Sequence, residues 1–254
     1  MKVWFDNELI DSSKVALDAD GWPEGIGIFE TLRTEHGEVF ELSRHMRRAI
    51  DAAERIGITL PNENLIREAI AKTLDAEPCD VGRLRLLFSQ NSFAVVHKSY
   101  EDLRNAQKIC TQSRASEIDG FVMKRYPYTE RLQLLARVVS AGFDEVICYN
   151  PDDHITEGAV SNFLFLIDGQ WVTSPLTSGV LPGVIRAIAI ERCDVKVRNI
   201  SKDEIPMIES ALVLSSLKIA LPVASIDERR LNVNGHVVAL EEQIRAKTQK
   251  HSVG

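Results

Sequence analysis

Residues 27–56 read GIFETLRTEHGEVFELSRHMRRAIDAAERI, and two kinds of pattern follow each other within them. Gly27 to Arg33 and Glu38 to Leu42 flank Thr34-Glu35-His36-Gly37, a polar break ending in glycine that predicts a β-hairpin. From Leu42 the pattern turns helical. Leu42, His45, Met46, Ala49, Ile50, Ala53 and Ile56 fall on one stripe, and Gly57 supplies the stop. A hairpin running straight into a helix points to a mixed α/β arrangement.

Working outward, Val3 and Phe5 suggest a short strand, and Pro61 to Leu74 a second helix with Pro61 near its first turn. Leu84 to Phe88 and Phe93 to His97 read as another strand pair. The polar stretch Ser113 to Gly120 predicts a linker. Beyond it, Glu130 to Ala141 carries Leu132, Leu135, Val138 and Val139 on one helical face, and Glu145 to Tyr149 is a mostly apolar strand. Asp168-Gly169, between Asn162 to Ile167 and Trp171 to Thr173, predicts a tight hairpin. Pro182-Gly183 leads into a helix from Val184 to Arg192, and Leu212 to Ser216 reads as a strand. Asn234-Gly235 suggests a last hairpin, and Leu240 to Gln249 a closing helix. The expectation is two α/β (α+β) halves, 1–115 and 116–254.

Composition narrows the function classes. The 254 residues carry a net charge of −7, 44% apolar and 26% charged residues, a globular balance that weighs against a nucleic-acid partner. No apolar run reaches the ~18 residues of a membrane span, and Asp6, Glu8 and Asp11 stand where a signal peptide needs apolar residues. The four cysteines form no CxxC pair and read as reduced thiols of a cytoplasmic protein. Gly25-Ile-Gly27-Ile-Phe-Glu30 has two glycines of a dinucleotide fingerprint but opens a strand, and no P-loop, HExxH or GxSxG is present. Asp152-Asp153-His154 reads as a solvated turn, so no metal site is expected.

Four pieces remain: Lys124 before a helix, Thr156-Glu157-Gly158 followed by Ser161-Asn162-Phe163, Leu181-Pro-Gly-Val-Ile-Arg186 at a helix start, and His45-x-x-Arg48. Each has a plainer reading alone. A lysine before a helix is usually solvated, and Arg48 at the edge of the apolar stripe could simply snorkel.

Together, in this order, they resemble the class IV aminotransferase family of pyridoxal-phosphate enzymes, which includes branched-chain and D-amino acid aminotransferases and 4-amino-4-deoxychorismate lyases. Asp20-Gly21…Gly25-Ile-Gly27-Ile-Phe29-Glu30-Thr31-Leu-Arg33 is similar to the family's GxGxFExxR strand, and Leu214-Ser-Ser216…Leu221-Pro-Val223 to its late strand. The resemblance implies a two-domain fold of type IV with the cofactor between domains, and a homodimer. It makes Lys124 the Schiff-base and proton-transfer lysine and Glu157 the partner of the ring nitrogen. Arg48, the Val184 and Ile185 amides and Ser216 would hold the phosphate, and Thr31, Arg33 and Arg85 are candidates for the substrate. These parts match what the cofactor needs: an amine, a carboxylate that keeps the ring electron-poor, and a helix-start anion cradle.

The chain departs from the family at several positions. Leu164 stands two residues after Asn162 where phenylalanine is common, and Ile185 where threonine is common. Lys-Arg-Tyr-Pro-Tyr lacks the usual Lys-x-x-Asn, leaving Tyr126 and Tyr128 as alternative cofactor contacts, and Gln90 replaces an arginine found in many lyases. The Ser215–Val223 segment looks lyase-like, so release of pyruvate from aminodeoxychorismate is the expected reaction. Amino-acid transamination and a non-catalytic cofactor-binding protein are the alternatives.

Overall fold

The computed structural model describes residues 1–15, 22–23, 25–115 and 122–251. In chain order it forms β1 (Lys2–Phe5), β2 (Glu8–Asp11), β3 (Gly27–Glu35), β4 (Glu38–Phe40), α1 (Leu42–Ile56), α2 (Glu63–Ala76), β5 (Val81–Ser89), β6 (Phe93–Ser99) and β7 (Gln107–Ala115). These are followed by β8 (Arg125–Tyr126), α3 (Thr129–Ser140), β9 (Glu145–Tyr149), β10 (Asn162–Ile167), β11 (Gln170–Thr173), α4 (Val184–Arg192) and β12 (Lys196–Val197). The last elements are β13 (Ser210–Ser215), β14 (Ile219–Ile226), β15 (Arg229–Arg230), α5 (Gly235–Lys247) and β16 (Lys250–His251).

The chain divides into two compact units. The first holds Met1–Asp102, Met123–Tyr128 and Gln249–Gly254. Its sheet runs β16-β4-β3-β5-β6-β1-β2, with β8 beside β3. His36 and Gly37, both at positive φ, close the predicted hairpin, so that Thr34 pairs with Val39. Strand alternation then sorts the side chains. Ile28 and Leu32 of β3, with Leu84, Leu86 and Phe88 of β5, enter the core against Leu42, Ala49 and Ala53 of α1 and Ile66 and Ile70 of α2. Full burial of each leucine is worth roughly 1.5–3 kcal/mol. The other face of the same strands carries Phe29, Thr31 and Arg33 opposite Leu87, Arg85 and Arg83. Gly57 ends α1 in a left-handed conformation, its N–H returning to the Ala53 carbonyl.

The second unit holds Leu103–Val122 and Thr129–Thr248, with a sheet in the order β12-β11-β10-β13-β14-β7-β9 and β15 beside β14. Phe163, Phe165, Val213 and Val223 centre its core, and α3 packs on β9 around Leu134, Val138, Val146 and Cys148.

The expected single break near residue 115 is replaced by an exchange of segments. β7 lies parallel between β14 and β9, which ties 107–115 to the second unit, while 125–126 pair with β3 in the first. Of the expected linker, 113–115 belong to β7 and 116–120 lie outside the described residues, as does Asp20-Gly21. Asn234-Gly235 is not a hairpin. The Asn234 side chain accepts from the N–H groups of His236 and Val237 and caps α5, which begins at Gly235.

Candidate active site

In the first unit, β8 brings Lys124 to the start of β3. Tyr126 pairs with Gly27 and Arg125 with Ile28, and the Phe29 N–H donates to the Lys124 carbonyl at 3.0 Å. Gly27 permits this approach, because a Cβ there would overlap Tyr126 and the Phe88 carbonyl. The Lys124 ammonium lies 4.7 Å from the centre of the Phe29 ring and 5.2 Å from that of Tyr128. Those two rings meet edge to face at 5.0 Å, and Trp22 packs on Phe29 and stacks on Tyr126. The lysine expected to do chemistry is therefore half-buried among aromatic rings, where a cation is held by their π faces.

Glu30 shares the core-facing side of β3 with Ile28 and Leu32 and meets α1 there. Arg48 donates to its carboxylate through Nε at 2.8 Å and Nη2 at 2.5 Å, and His45 Nδ1 lies 2.6 Å from Oε2. All three side chains are buried. Burial alone would raise the Glu30 carboxyl, yet the Arg48 and His45 partners hold it down at about 2. Burial pushes His45 below its ordinary value, against the pull of Glu30, and the Lys124 charge adds to the lowering. Arg48 is thus an oriented interior cation and not a snorkelling side chain. The sequence pattern alone assigns Glu30 no role. Its position between Ile28 and Leu32, facing the His45-x-x-Arg48 helix, was the available signal.

The substrate candidates separate. Arg33 is fully buried, forked onto both oxygens of Asp102 at 3.0 and 2.8 Å and bonded to Glu35 at 2.9 Å. Arg85 lies half-buried, 4.2 Å from the Trp22 ring and directly across the sheet from Thr31.

In the second unit, Glu157 is buried with both carboxylate oxygens engaged. Oε1 accepts from Arg131 Nη2 at 2.8 Å, while Oε2 accepts from the Leu181 N–H at 2.8 Å and Asn162 Nδ2 at 3.2 Å. The following turn is pinned by Glu145, which accepts from the Ala159 N–H and the Ser161 hydroxyl. Among the described residues no side chain caps α4 at Gly183, so the N–H groups of Val184 and Ile185 open the helix without a side-chain acceptor. A Cβ on Gly183 would overlap Asn162 Oδ1. Asn162 also lies opposite Leu214, so the 216–218 loop carrying Ser216 continues from the neighbouring strand. That loop is fastened by the Lys218 ammonium, which donates to Gln107 Oε1 at 2.6 Å. Arg186 is buried with Nη2 on the Ser174 carbonyl at 2.6 Å. Burial pulls it down to about 10 against the opposing charge of Glu157, and its Nε finds no hydrogen-bond partner among the described residues.

The model of the family described as amino-transferase class IV matches residues 27–226. The chain belongs to the class IV aminotransferases. It is 25% identical over 254 residues to a D-alanine aminotransferase of Bacillus licheniformis, covering 89% of each chain. It is 26% identical over 211 residues to a Schizosaccharomyces pombe protein named provisionally an aminodeoxychorismate lyase, covering 77% of this chain and 87% of that one. The fold matches a hypothetical aminotransferase of Mycobacterium tuberculosis in its pyridoxal-phosphate-bound form with a TM-score of 0.84, at 20% identity over 97% and 98% of the two chains.

Class IV aminotransferases are pyridoxal-phosphate enzymes, and each unit carries donors that fit part of this cofactor. The second offers an uncapped helix start, an orphaned buried guanidinium Nε and a fixed carboxylate. The first offers an amine among aromatic rings and an interior arginine. Among the described residues, no group of three or more His, Cys, Asp or Glu side chains could hold a metal ion, and no helix is long and apolar enough to cross a membrane.

Proposed function

We propose that this class IV aminotransferase releases pyruvate from 4-amino-4-deoxychorismate to leave 4-aminobenzoate. The observation that carries the cofactor chemistry is the fixed, buried Glu157 carboxylate beside the uncapped start of α4. The finer reading rests on the lyase-like segment 215–223 and is supported by the fission-yeast relative.

Pyridoxal phosphate, when bound, supplies an electron-poor ring that takes up the charge left as a bond at the amine-bearing carbon breaks. Lys124 Nζ anchors the cofactor and moves the substrate proton, held in place by the Phe29 and Tyr128 rings. Glu157 holds a proton at the ring nitrogen. The Val184 and Ile185 amides, the Ser216 hydroxyl and Arg48 bind the phosphate, with Arg48 oriented by Glu30. Arg33 is spent on Asp102 and Glu35, which leaves Arg85, with Thr31 opposite, as the substrate-carboxylate contact. The active species is a cytoplasmic homodimer, which sedimentation at micromolar concentration would reveal as a doubled mass.

A second reading is transamination, favoured by the match to a D-alanine aminotransferase over 89% of the chain. Supplying aminodeoxychorismate with no 2-oxo acid separates the two. Release of pyruvate supports the lyase. No product there, with amino transfer from an amino acid to 2-oxoglutarate, establishes the transaminase. Cofactor binding with neither reaction marks a non-catalytic binding protein.

A further inference from the structure

The ring nitrogen's partner is itself partnered. Arg131, third residue of α3, spreads its fork over two acceptors of the Glu157 turn: Nη2 on Glu157 Oε1 at 2.8 Å and Nη1 on the Gly158 carbonyl at 2.8 Å. Arg131 is 22% exposed and Glu157 6%, so this ion pair is only partly screened. Arg186 also feels the Glu157 charge, but it spends Nη2 on Ser174. Orientation of Glu157 does not depend on Arg131 alone, because Leu181 N–H and Asn162 hold Oε2. What Arg131 adds is a positive charge on the carboxylate.

We propose that Arg131 is a positioning residue that keeps the proton shared between Glu157 and the cofactor's ring nitrogen on the nitrogen. This rests on the reading of Glu157 as the ring partner. Two arrangements compete in a buried site, a carboxylate facing a protonated ring or a neutral acid facing a neutral ring. In a dry surrounding the neutral pair is favoured, since it separates no charge. A guanidinium bonded to the carboxylate reverses that preference. It lies closer to the carboxylate than to any group on the carboxylate's far side, so its attraction to the anion exceeds its repulsion of the protonated ring. The electron-withdrawing power of the ring then depends on an arginine that touches neither cofactor nor substrate. A lysine could keep the charge but, lacking the planar fork, could not place two coplanar donors on both acceptors in the same way.

The test loads wild type, Arg131→Met, Arg131→Gln and Arg131→Lys with pyridoxal phosphate labelled with ¹⁵N in the ring and reads the ring-nitrogen resonance. The expected result is a protonated-ring position in wild type, a shift toward the neutral-pyridine position in the methionine and glutamine variants, and a near-wild-type position in the lysine variant. Whichever neutral variant folds suffices, with thermal unfolding as the check. An unchanged resonance in a folded neutral variant with cofactor bound overturns the assignment while leaving the function intact. A wild-type protein that takes up no cofactor overturns the function and this assignment with it.

Discussion

Replacing Glu30 with glutamine tests whether the first unit is organised around a buried charge. The substitution keeps shape and volume, leaves one oxygen to accept a hydrogen bond, and removes the negative charge bonded to Arg48 through both Nε and Nη2. The Glu30 carboxyl is held at about 2 against an ordinary 4.5. At about 1.36 kcal/mol per pH unit, that gap corresponds to about 3 kcal/mol of stability. Breaking one side of a buried ion pair costs about 3–5 kcal/mol, and the retained amide oxygen places glutamine at the lower end. The sign follows from the lowered carboxyl. Its contribution is complete above pH 4.5 and is lost as pH falls toward 2. His45, which burial holds below 6.5, adds a separate decline that begins near pH 6.5, where the unfolded ring takes up its proton first. Urea unfolding followed by tryptophan fluorescence at pH 7 should place the variant's midpoint about 1–3 M below wild type. Repeating it down to pH 2 should bring the two curves together. A variant within about 0.5 kcal/mol of wild type at pH 7, or a difference that ignores pH, would show that the Glu30 charge does not hold the unit together.

Other positions give sharper local tests. Gly183→Ala should displace Asn162, against which its new Cβ would lie, and weaken cofactor binding roughly tenfold or more, an equivalent of about 1.4 kcal/mol, as read by fluorescence titration. Gly27→Ala should force β8 away from β3, so cofactor uptake falls while the second unit keeps its unfolding transition. Asn234→Ala removes the cap on α5 and should cost about 1 kcal/mol, seen as a fall of about 2–4 °C in the unfolding midpoint with cofactor affinity unchanged.

Much of this arrangement can be read from the chain, and the exceptions share a cause. The β3–β4 hairpin, α1 with its Gly57 stop, the Asp168-Gly169 turn and the bounds of α4 follow from local periods and turn chemistry. The stripe of α1 is an exception, because apolar spacing favours Ile50, which is 46% exposed, over Arg48 and Ala52, which are buried. Glu30 on another element balances the buried Arg48 charge, and single-sequence periodicity does not see across elements. Asn234-Gly235 misled for a related reason. An asparagine oxygen ahead of free N–H groups serves a turn and a helix cap equally well. Arg131 leaves no local signal because its partners, Glu157 and Gly158, are 26 and 27 residues away. The second unit's claim on β7 was equally hidden, since parallel pairing leaves no turn between the partners.

The proposed function requires that pyridoxal phosphate attach to Lys124. Reduction of the cofactor-loaded protein with borohydride, followed by peptide mass mapping, tests it directly. One pyridoxyl group is expected, carried on Lys124 and abolished in Lys124→Ala. A label on Lys218 or another lysine, or loaded protein with no label, contradicts it.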